Sequence, residues 1–385
     1  MAIYLDNAAT TFPKPPAVWQ AMEQFMKNIG ASAGRGGYRR ALAAEEIVFQ
    51  CRRLLGKLFN INDATRIIFT ANATEAINLV LKGWLNPGDH VITTAMEHNA
   101  VWRCLKTLEK ERGISITAVP CREDGELLMP ELDAAFREET RLLACTHASN
   151  VTGTVMPVEA ITAAAHRHGV PVLLDAAQTA GVYPLDVREL DIDFLAFTGH
   201  KGLLGPMGTG GLYIRPGFDL RPLKEGGTGS VSRLEYMPEN LPDRFEAGTL
   251  NVVGIAGLKA AVEYILNQGI SRIRSHEEVL TARMLTGLEE IPAVTVYGPR
   301  ETAHKVGVVS FNLKELAPEE VAYALDEGHE IMVRVGLHCA PLAHKTIGTL
   351  ERGTVRASVS YFNTAEEIDA FLTAVKEIVE LTGWL

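Results

Sequence analysis

The chain has 385 residues, enough for one large hydrophobic core and a smaller second one. Its 47% hydrophobic and 22% charged residues are those of an ordinary globular protein, and its formal charge of −10 argues against a general binder of nucleic acid or anionic membrane. There is no apolar run of bilayer length and no GxGxxG or GxxxxGK[ST] motif, which removes the usual sequence warrants for a membrane span, a dinucleotide or a nucleoside triphosphate.

In chain order, Ile3 to Leu5 reads as a short strand entering a polar turn. Pro15 and Pro16 then open a helix with Val18, Met22, Phe25, Met26 and Ile29 on one face. The start of the chain lacks a basic stretch followed by an apolar run, so no secretory signal is expected. Gly30 to Arg40 is a glycine-bearing loop whose Arg35, Arg39 and Arg40 are either solvated or an anion site. A second amphipathic helix follows through Val48, Cys51, Leu54, Leu55 and Leu58. Arg66 to Thr70 is a strand, and the polar turn and helix start after it, Asn72 to Glu75, suit either a plain N-cap or a phosphate. Strands are also expected at His90 to Thr94, ahead of His98, at Ser115 to Val119, and at Arg141 to Thr146, ahead of Asn150. Helices are expected around Leu132 to Phe136 and Ile161 to His166.

Two further apolar runs, Val170 to Leu174 and Ile192 to Phe197, end in Asp175 with Gln178 and in Thr198, Gly199, His200 and Lys201. Both deliver polar groups at the C-terminal rim, where open α/β sheets bind ligands. Strands alternating with helices from about 66 to 200 indicate a mostly parallel sheet. Beyond Tyr213 comes a long irregular stretch, Leu220 to Arg244, and then a smaller α+β region.

An acid and a lysine on one rim suit pyridoxal 5′-phosphate, which needs a lysine for its Schiff base and a carboxylate beside its ring nitrogen. The five cysteines are scattered without metal-ligand spacing, as expected of reduced thiols in a cytoplasmic protein.

Nine segments in order resemble the class V, fold-type I pyridoxal-phosphate enzymes, and within them the cysteine desulfurases. They are YLDNAATT at 4–11, NATEAINLV at 72–80, EHNA at 97–100, SNVTGT at 149–154, LLDAAQ at 173–178, TGHK at 198–201, FEAGT at 245–249, RVGLHCA at 334–340 and VRASVSYFNT at 355–364. The resemblance implies a large cofactor-binding α/β domain over 15–255 and a small α+β domain over 1–14 and 256–385. It implies that Lys201 carries the cofactor, Asp175 pairs with its ring nitrogen, Gln178 bonds its ring hydroxyl and His98 stacks on the ring, with the Lys201 amine and His98 beside it moving the proton. Ala73, Thr74, Thr198 and His200 would hold the phosphate, with Thr249 reaching in from the other subunit of a homodimer with shared active sites. Asn150 and Arg356 would hold the carboxylate of L-cysteine, and Cys339 would take its sulfur as a persulfide. A sulfur-acceptor protein and a place in iron–sulfur cluster assembly follow from the same likeness.

Two positions depart from the pattern: Leu337 precedes His338 where the second, short-loop group of desulfurases carries paired histidines, and Gly34 replaces a histidine before Arg35 and Gly36. A selenocysteine lyase, another class V aminotransferase or β-lyase, and a catalytically dead relay scaffold are the alternatives.

Overall fold

The computed structural model describes residues 2–34 and 36–381. The first part of the chain runs β1 (Ile3–Tyr4), α1 (Pro16–Gln24), α2 (Arg39–Phe59), β2 (Ile67–Thr70), α3 (Ala73–Trp84), β3 (His90–Thr94), α4 (Asn99–Arg112), β4 (Ser115–Val119), α5 (Met129–Ala135), β5 (Thr140–Thr146), α6 (Val158–Arg167), β6 (Val172–Asp175), β7 (Phe194–Thr198) and β8 (Gly210–Ile214). It continues with α7 (Val252–Gln268), α8 (Ile270–Glu289), β9 (Val294–Tyr297), β10 (Val308–Leu313), α9 (Pro318–His329), β11 (Ile331–Met332), β12 (Arg334–Gly336), α10 (Pro341–Thr346), β13 (Thr354–Ser358) and α11 (Ala365–Leu381).

Seven strands form one sheet in the order β2-β8-β7-β6-β5-β3-β4. All neighbours are parallel except β8, which is antiparallel to both β2 and β7. β3, β6, β7 and β8 are buried along their whole length, as crossover helices on both faces of a sheet require. The expected mostly parallel sheet is therefore present. β8 is not among the expected strands; it opens on two glycines, Gly210 and Gly211, at the end of a glycine-rich stretch. A Cβ on Gly211 would lie 2.3 Å from the Phe197 ring, and one on Gly210 would lie 2.7 Å from Asn72 Cα. The two glycines let β8 close against β7 and against the turn that starts α3.

Two other elements differ from expectation. The helix from Pro16 passes into a π turn over Phe25–Ile29, and the change of phase leaves Met26 exposed while Phe25 is buried. No helix was assigned between β3 and β4, yet α4 fills that interval. It buries Val101, Cys104, Leu105 and Leu108, a helical spacing that its many charged residues obscure.

A four-stranded antiparallel sheet, β12-β13-β10-β9, supports the C-terminal region, and β1 pairs with β11 in parallel. The N-terminal strand thus belongs to the second core, with Ile3 and Leu5 packed among Leu280, Phe311 and Phe371. α7 packs in the first core. α8 carries the changeover, with Ile273 still in the first core and Leu280, Met284, Leu285 and Leu288 in the second.

A buried ion pair ties α2 to the segment before α7. Arg52 Nη2 meets Glu246 Oε2, Arg52 Nη1 donates to the Ile67 carbonyl, and Glu246 Oε1 accepts the Phe69 N–H at 2.6 Å. Glu246→Ala would leave a buried guanidinium without its counter-charge and a β2 N–H without its acceptor. Urea unfolding of this variant is expected to show a loss of about 3–5 kcal/mol; a loss below about 1 kcal/mol would mean that water replaces the carboxylate.

Candidate active site

The C-terminal ends of β3, β5, β6 and β7 and the start of α3 meet around a cavity of about 80 Å³. Its lining brings together Ala73, Thr74, His98, Asn150, Asp175, Gln178, Thr198, His200 and Lys201. The turns after β6 and β7 carry Gln178 and Lys201, and they touch through glycines. A Cβ on Gly181, whose φ is +91°, would sit 2.4 Å from the Gly202 carbonyl oxygen, and one on Gly202 would sit 2.7 Å from that of Ala180. The N-terminal segment clamps the lysine turn from outside. Thr11 N–H donates to the His200 carbonyl at 3.0 Å, Thr11 Oγ1 to the Lys201 carbonyl at 2.8 Å and Lys14 Nζ to the His200 carbonyl at 2.7 Å.

Lys201 has its amine lowered to about 8, first by burial and then by the Arg356 guanidinium, against the pull of Asp175 and Asp6. Asp175 is buried at the end of β6, and desolvation raises it although Oδ1 accepts the Ala177 N–H at 2.9 Å and Lys201 lies near. His98 caps α4, its Nδ1 accepting the Ala100 N–H at 3.0 Å. Burial, with Lys201 and Arg356 nearby, lowers His98 to about 4. The ring is therefore neutral at neutral pH, and because Nδ1 accepts, the proton is on Nε2. Gln178 Nε2 donates to the Ala8 carbonyl at 3.2 Å.

The phosphate-side candidates share one feature. Thr198 Oγ1 and His200 Nδ1 are buried and lack a hydrogen-bond partner among the described residues, beside the N-terminus of α3, where Asn72 Oδ1 accepts the Glu75 N–H at 3.0 Å. Asn72, which lines the cavity, was not singled out in the sequence; its position as N-cap at a strand-to-helix turn was the available signal.

Arg356 on β13 is buried. Nη2 donates to Asp6 Oδ1 at 2.9 Å, Nη1 donates to the Asn150 carbonyl at 3.1 Å, and Nε is buried with no partner among the described residues. Asp6 also meets Arg334 at 3.3 Å. Asp6 was overlooked as a site residue although it lies within YLDNAATT, because nothing local ties it to an arginine 350 positions on. Asn150 Nδ2 donates to the His338 carbonyl at 2.7 Å, which links the Arg356 side of the site to the loop bearing Cys339.

Cys339 is exposed between β12 and α10. It and His338 both adopt left-handed backbone, with φ of 56° and 46°. Its carbonyl accepts the Asn99 N–H at 2.7 Å. It lines not the inner cavity but an outer groove of about 380 Å³, which reaches inward to His98 and Thr74 and is walled by Lys82 and Arg103. His338 is buried and hydrogen-bonded to Thr354 Oγ1 at 3.1 Å, and burial pushes it down to about 2, so it anchors the loop and is no base for the thiol. Leu337 is exposed. Thr249 lines a separate cavity of about 180 Å³ with Phe69 and Lys224, away from Lys201 of the same chain. Arg39 and Arg40 are exposed at the start of α2, and Arg35 lies outside the described residues. Among the described residues no group of three or more potential metal ligands occurs, and no helix is long and apolar enough to cross a membrane.

The five thiols differ sharply. Burial raises Cys51 and Cys121 to about 12 and Cys104 to about 11, and holds Cys145 well above its ordinary value, while Cys339 stands exposed. Brief alkylation of the folded protein with iodoacetamide at pH 7.5 is expected to modify Cys339 first, as read by peptide mass spectrometry. Equal labelling of Cys104 would contradict this assignment of thiol reactivity.

A family model described as aminotransferase class-V matches residues 3–371. The chain is 38% identical over 391 residues to a cysteine desulfurase of Escherichia coli O157:H7, an alignment covering 99% of this chain and 94% of that one. Among solved structures it is similar to the apo cysteine desulfurase of Thermococcus onnurineus NA1, with a TM-score of 0.93 at 36% identity over 98% of this chain and 95% of that one. It is also similar to the Escherichia coli cysteine desulfurase CsdA in an S-sulfonic acid form, with a TM-score of 0.89 at 30% identity over 99% and 95% of the two chains.

Proposed function

The chain belongs to the aminotransferase class-V family and its activity is that of a cysteine desulfurase; from that premise we propose that the cavity around Lys201 holds pyridoxal 5′-phosphate and that Cys339 takes the sulfur of L-cysteine, leaving L-alanine. The single observation that carries this reading is the convergence of Lys201, Asp175 and His98 on one cavity that opens toward a groove bearing the exposed Cys339.

The residues fit the cofactor. The unpartnered Thr198 Oγ1 and His200 Nδ1, with the N–H groups that start α3, form a place for its phosphate. Asp175, raised by burial although Lys201 lies near, would gain a further counter-charge in a protonated ring nitrogen. When bound, the cofactor serves as the electron sink for charge formed at the substrate Cα.

The protein's own groups then divide the work. Lys201, with an amine near 8, spends an appreciable fraction of its time unprotonated at neutral pH, as a group that both carries the cofactor and moves the Cα proton must. His98 offers the flat face of a neutral ring, and its Nδ1 lone pair is already used by α4, so proton movement falls to Lys201. Arg356 presents the unpaired Nε to the substrate carboxylate, assisted by Asn150 and balanced by Asp6. Cys339, as thiolate, attacks the substrate sulfur; the carbon–sulfur bond breaks and the sulfur stays on the enzyme as a persulfide. Its exposure in an open groove suits delivery to an acceptor protein. Thr249 would serve the partner of a homodimer, since it faces away from Lys201 of its own chain.

Protein loaded with pyridoxal 5′-phosphate is expected to be yellow, and borohydride should fix the cofactor to the peptide containing Lys201. Cys339→Ser should keep that colour and lose alanine formation by about 100-fold or more, because a serine hydroxyl is a far weaker nucleophile than a thiolate. Alanine formed at the parent rate would hand the site to a selenocysteine lyase or β-lyase. A lysine is a point charge that cannot bond Asp6 and the Asn150 carbonyl and still present a further N–H, so Arg356→Lys should raise KM for cysteine by about tenfold or more with cofactor retained. An unchanged KM would place the carboxylate elsewhere.

A further inference from the structure

A second, smaller cavity of about 30 Å³ shares Lys201 and Gln178 with the first and is otherwise walled by different residues, among them Asn7, Gly307, Ser360 and Glu277. Glu277 is the single acid in that wall. It projects from α8, is 5% exposed, and has the Tyr361 backbone N–H as hydrogen-bond donor to its carboxylate. Its Oε2 lies 3.5 Å from where a Cβ on Gly307 would stand, so the carboxylate faces the glycine that leaves this space open. A space of this size, with Asn7, Gln178, Lys201, Glu277 and Ser360 on a wall that is otherwise largely aliphatic, accommodates about one or two waters.

We propose that this cavity is a proton-exchange chamber, in which ordered water joins the Lys201 amine to the Glu277 carboxylate and makes Glu277 a positioning residue for the proton Lys201 carries. The inference rests on Lys201 as the cofactor-bearing proton mover. The step is a simple transfer: the ammonium gives its proton through water to the carboxylate, leaving a neutral amine and a carboxylic acid, and the reverse restores both.

The surroundings favour an even exchange. Burial raises Glu277 to about 8 and lowers Lys201 to about 8, so neither holds the proton strongly against the other. Lys201 is also faced by Asp175 from β6, Asp6 from the turn after β1, Arg356 from β13 and Arg334 from β12. Glu277 is faced by Arg274 one turn earlier on α8, whose guanidinium is spent on the carbonyls of Lys305, Thr302 and Ala303. Nearby, the Lys305 amine is turned to the Thr152 carbonyl and His276 to the Asn363 carbonyl, 2.9 Å away.

The visible absorbance of enzyme loaded with pyridoxal 5′-phosphate reports, through its pH midpoint, the proton on the Lys201 nitrogen. Glu277→Gln keeps an oxygen for the Tyr361 N–H but removes the carboxylate that forms above about 8 and, joined through water, would favour the protonated nitrogen there, so the midpoint is expected to fall by about half to one unit. With L-cysteine deuterated at Cα in ordinary water, product alanine is expected to keep about threefold more label than with the parent, because the deuteron on Lys201 no longer washes out. Val182 also lines the chamber, and Val182→Ile, which narrows it and leaves the carboxylate in place, should raise label retention while the midpoint stays put. A parent-like visible band with an unmoved midpoint in Glu277→Gln, and parent label retention in both variants, overturns the chamber and leaves the cofactor reading standing.

Discussion

The approach of the turns after β6 and β7 is the constraint on which the site depends. Gly181 and Gly202 allow those turns to touch, and the touch sets Asp175, Gln178 and Lys201 around one space. Side chains at either glycine would push the strand ends apart by an ångström or more, a misplacement large enough to cost catalysis heavily. The N-terminal segment completes the clamp, since Thr11 and Lys14 hold the carbonyls of Lys201 and His200 from outside. β1 is in turn paired with β11, so the second core helps to fix the lysine. The N-terminal segment therefore holds the lysine turn through hydrogen bonds to backbone carbonyls, two of them donated by the Thr11 and Lys14 side chains.

Burial gives the groups there their chemical character. Lys201 is pulled down, Asp175 is pushed up, and His98, His200 and His338 are all held neutral, chiefly by desolvation. A site built this way suits proton movement, and its histidines act by shape and hydrogen bonding more than by charge. Cys339 belongs to a different environment. It sits outside, on two consecutive left-handed residues, in a loop held by Asn150 to the His338 carbonyl and by Asn99 to its own. Such backbone costs of order 1 kcal/mol or more per residue and persists where surrounding bonds impose it. The fixed loop suits a nucleophile that must point at one atom and then face outward to hand sulfur on.

Much of this was legible in the sequence, for physical reasons. β6 and β7 are short apolar runs that end in polar residues, and buried parallel strands leave that trace, so Asp175 and Lys201 could be placed at one rim from pattern alone. The roles of His98, Asn150 and Cys339 came instead from likeness to a family, since a lone histidine, asparagine or cysteine carries no periodic signal. β8 was hidden because Gly210 and Gly211 meet a packing need that outweighs strand propensity. α4 was hidden by its charged face, and the π turn after α1 shifted a phase that periodicity assumed constant. The Asp6–Arg356 and Arg52–Glu246 pairs join residues 350 and 194 positions apart, and no local pattern encodes them.

The central claim is that the exposed Cys339, alone among five thiols, receives sulfur from a substrate bound at Lys201. It is tested most directly by incubating the enzyme loaded with pyridoxal 5′-phosphate briefly with L-cysteine labelled with heavy sulfur, trapping persulfides with an alkylating reagent, and mapping the labelled atom by peptide mass spectrometry. The account predicts one labelled sulfur atom on the peptide containing Cys339 and none on the peptides with Cys51, Cys104, Cys121 or Cys145. Labelled sulfur on another cysteine, or free sulfide released with no labelled peptide, would contradict it.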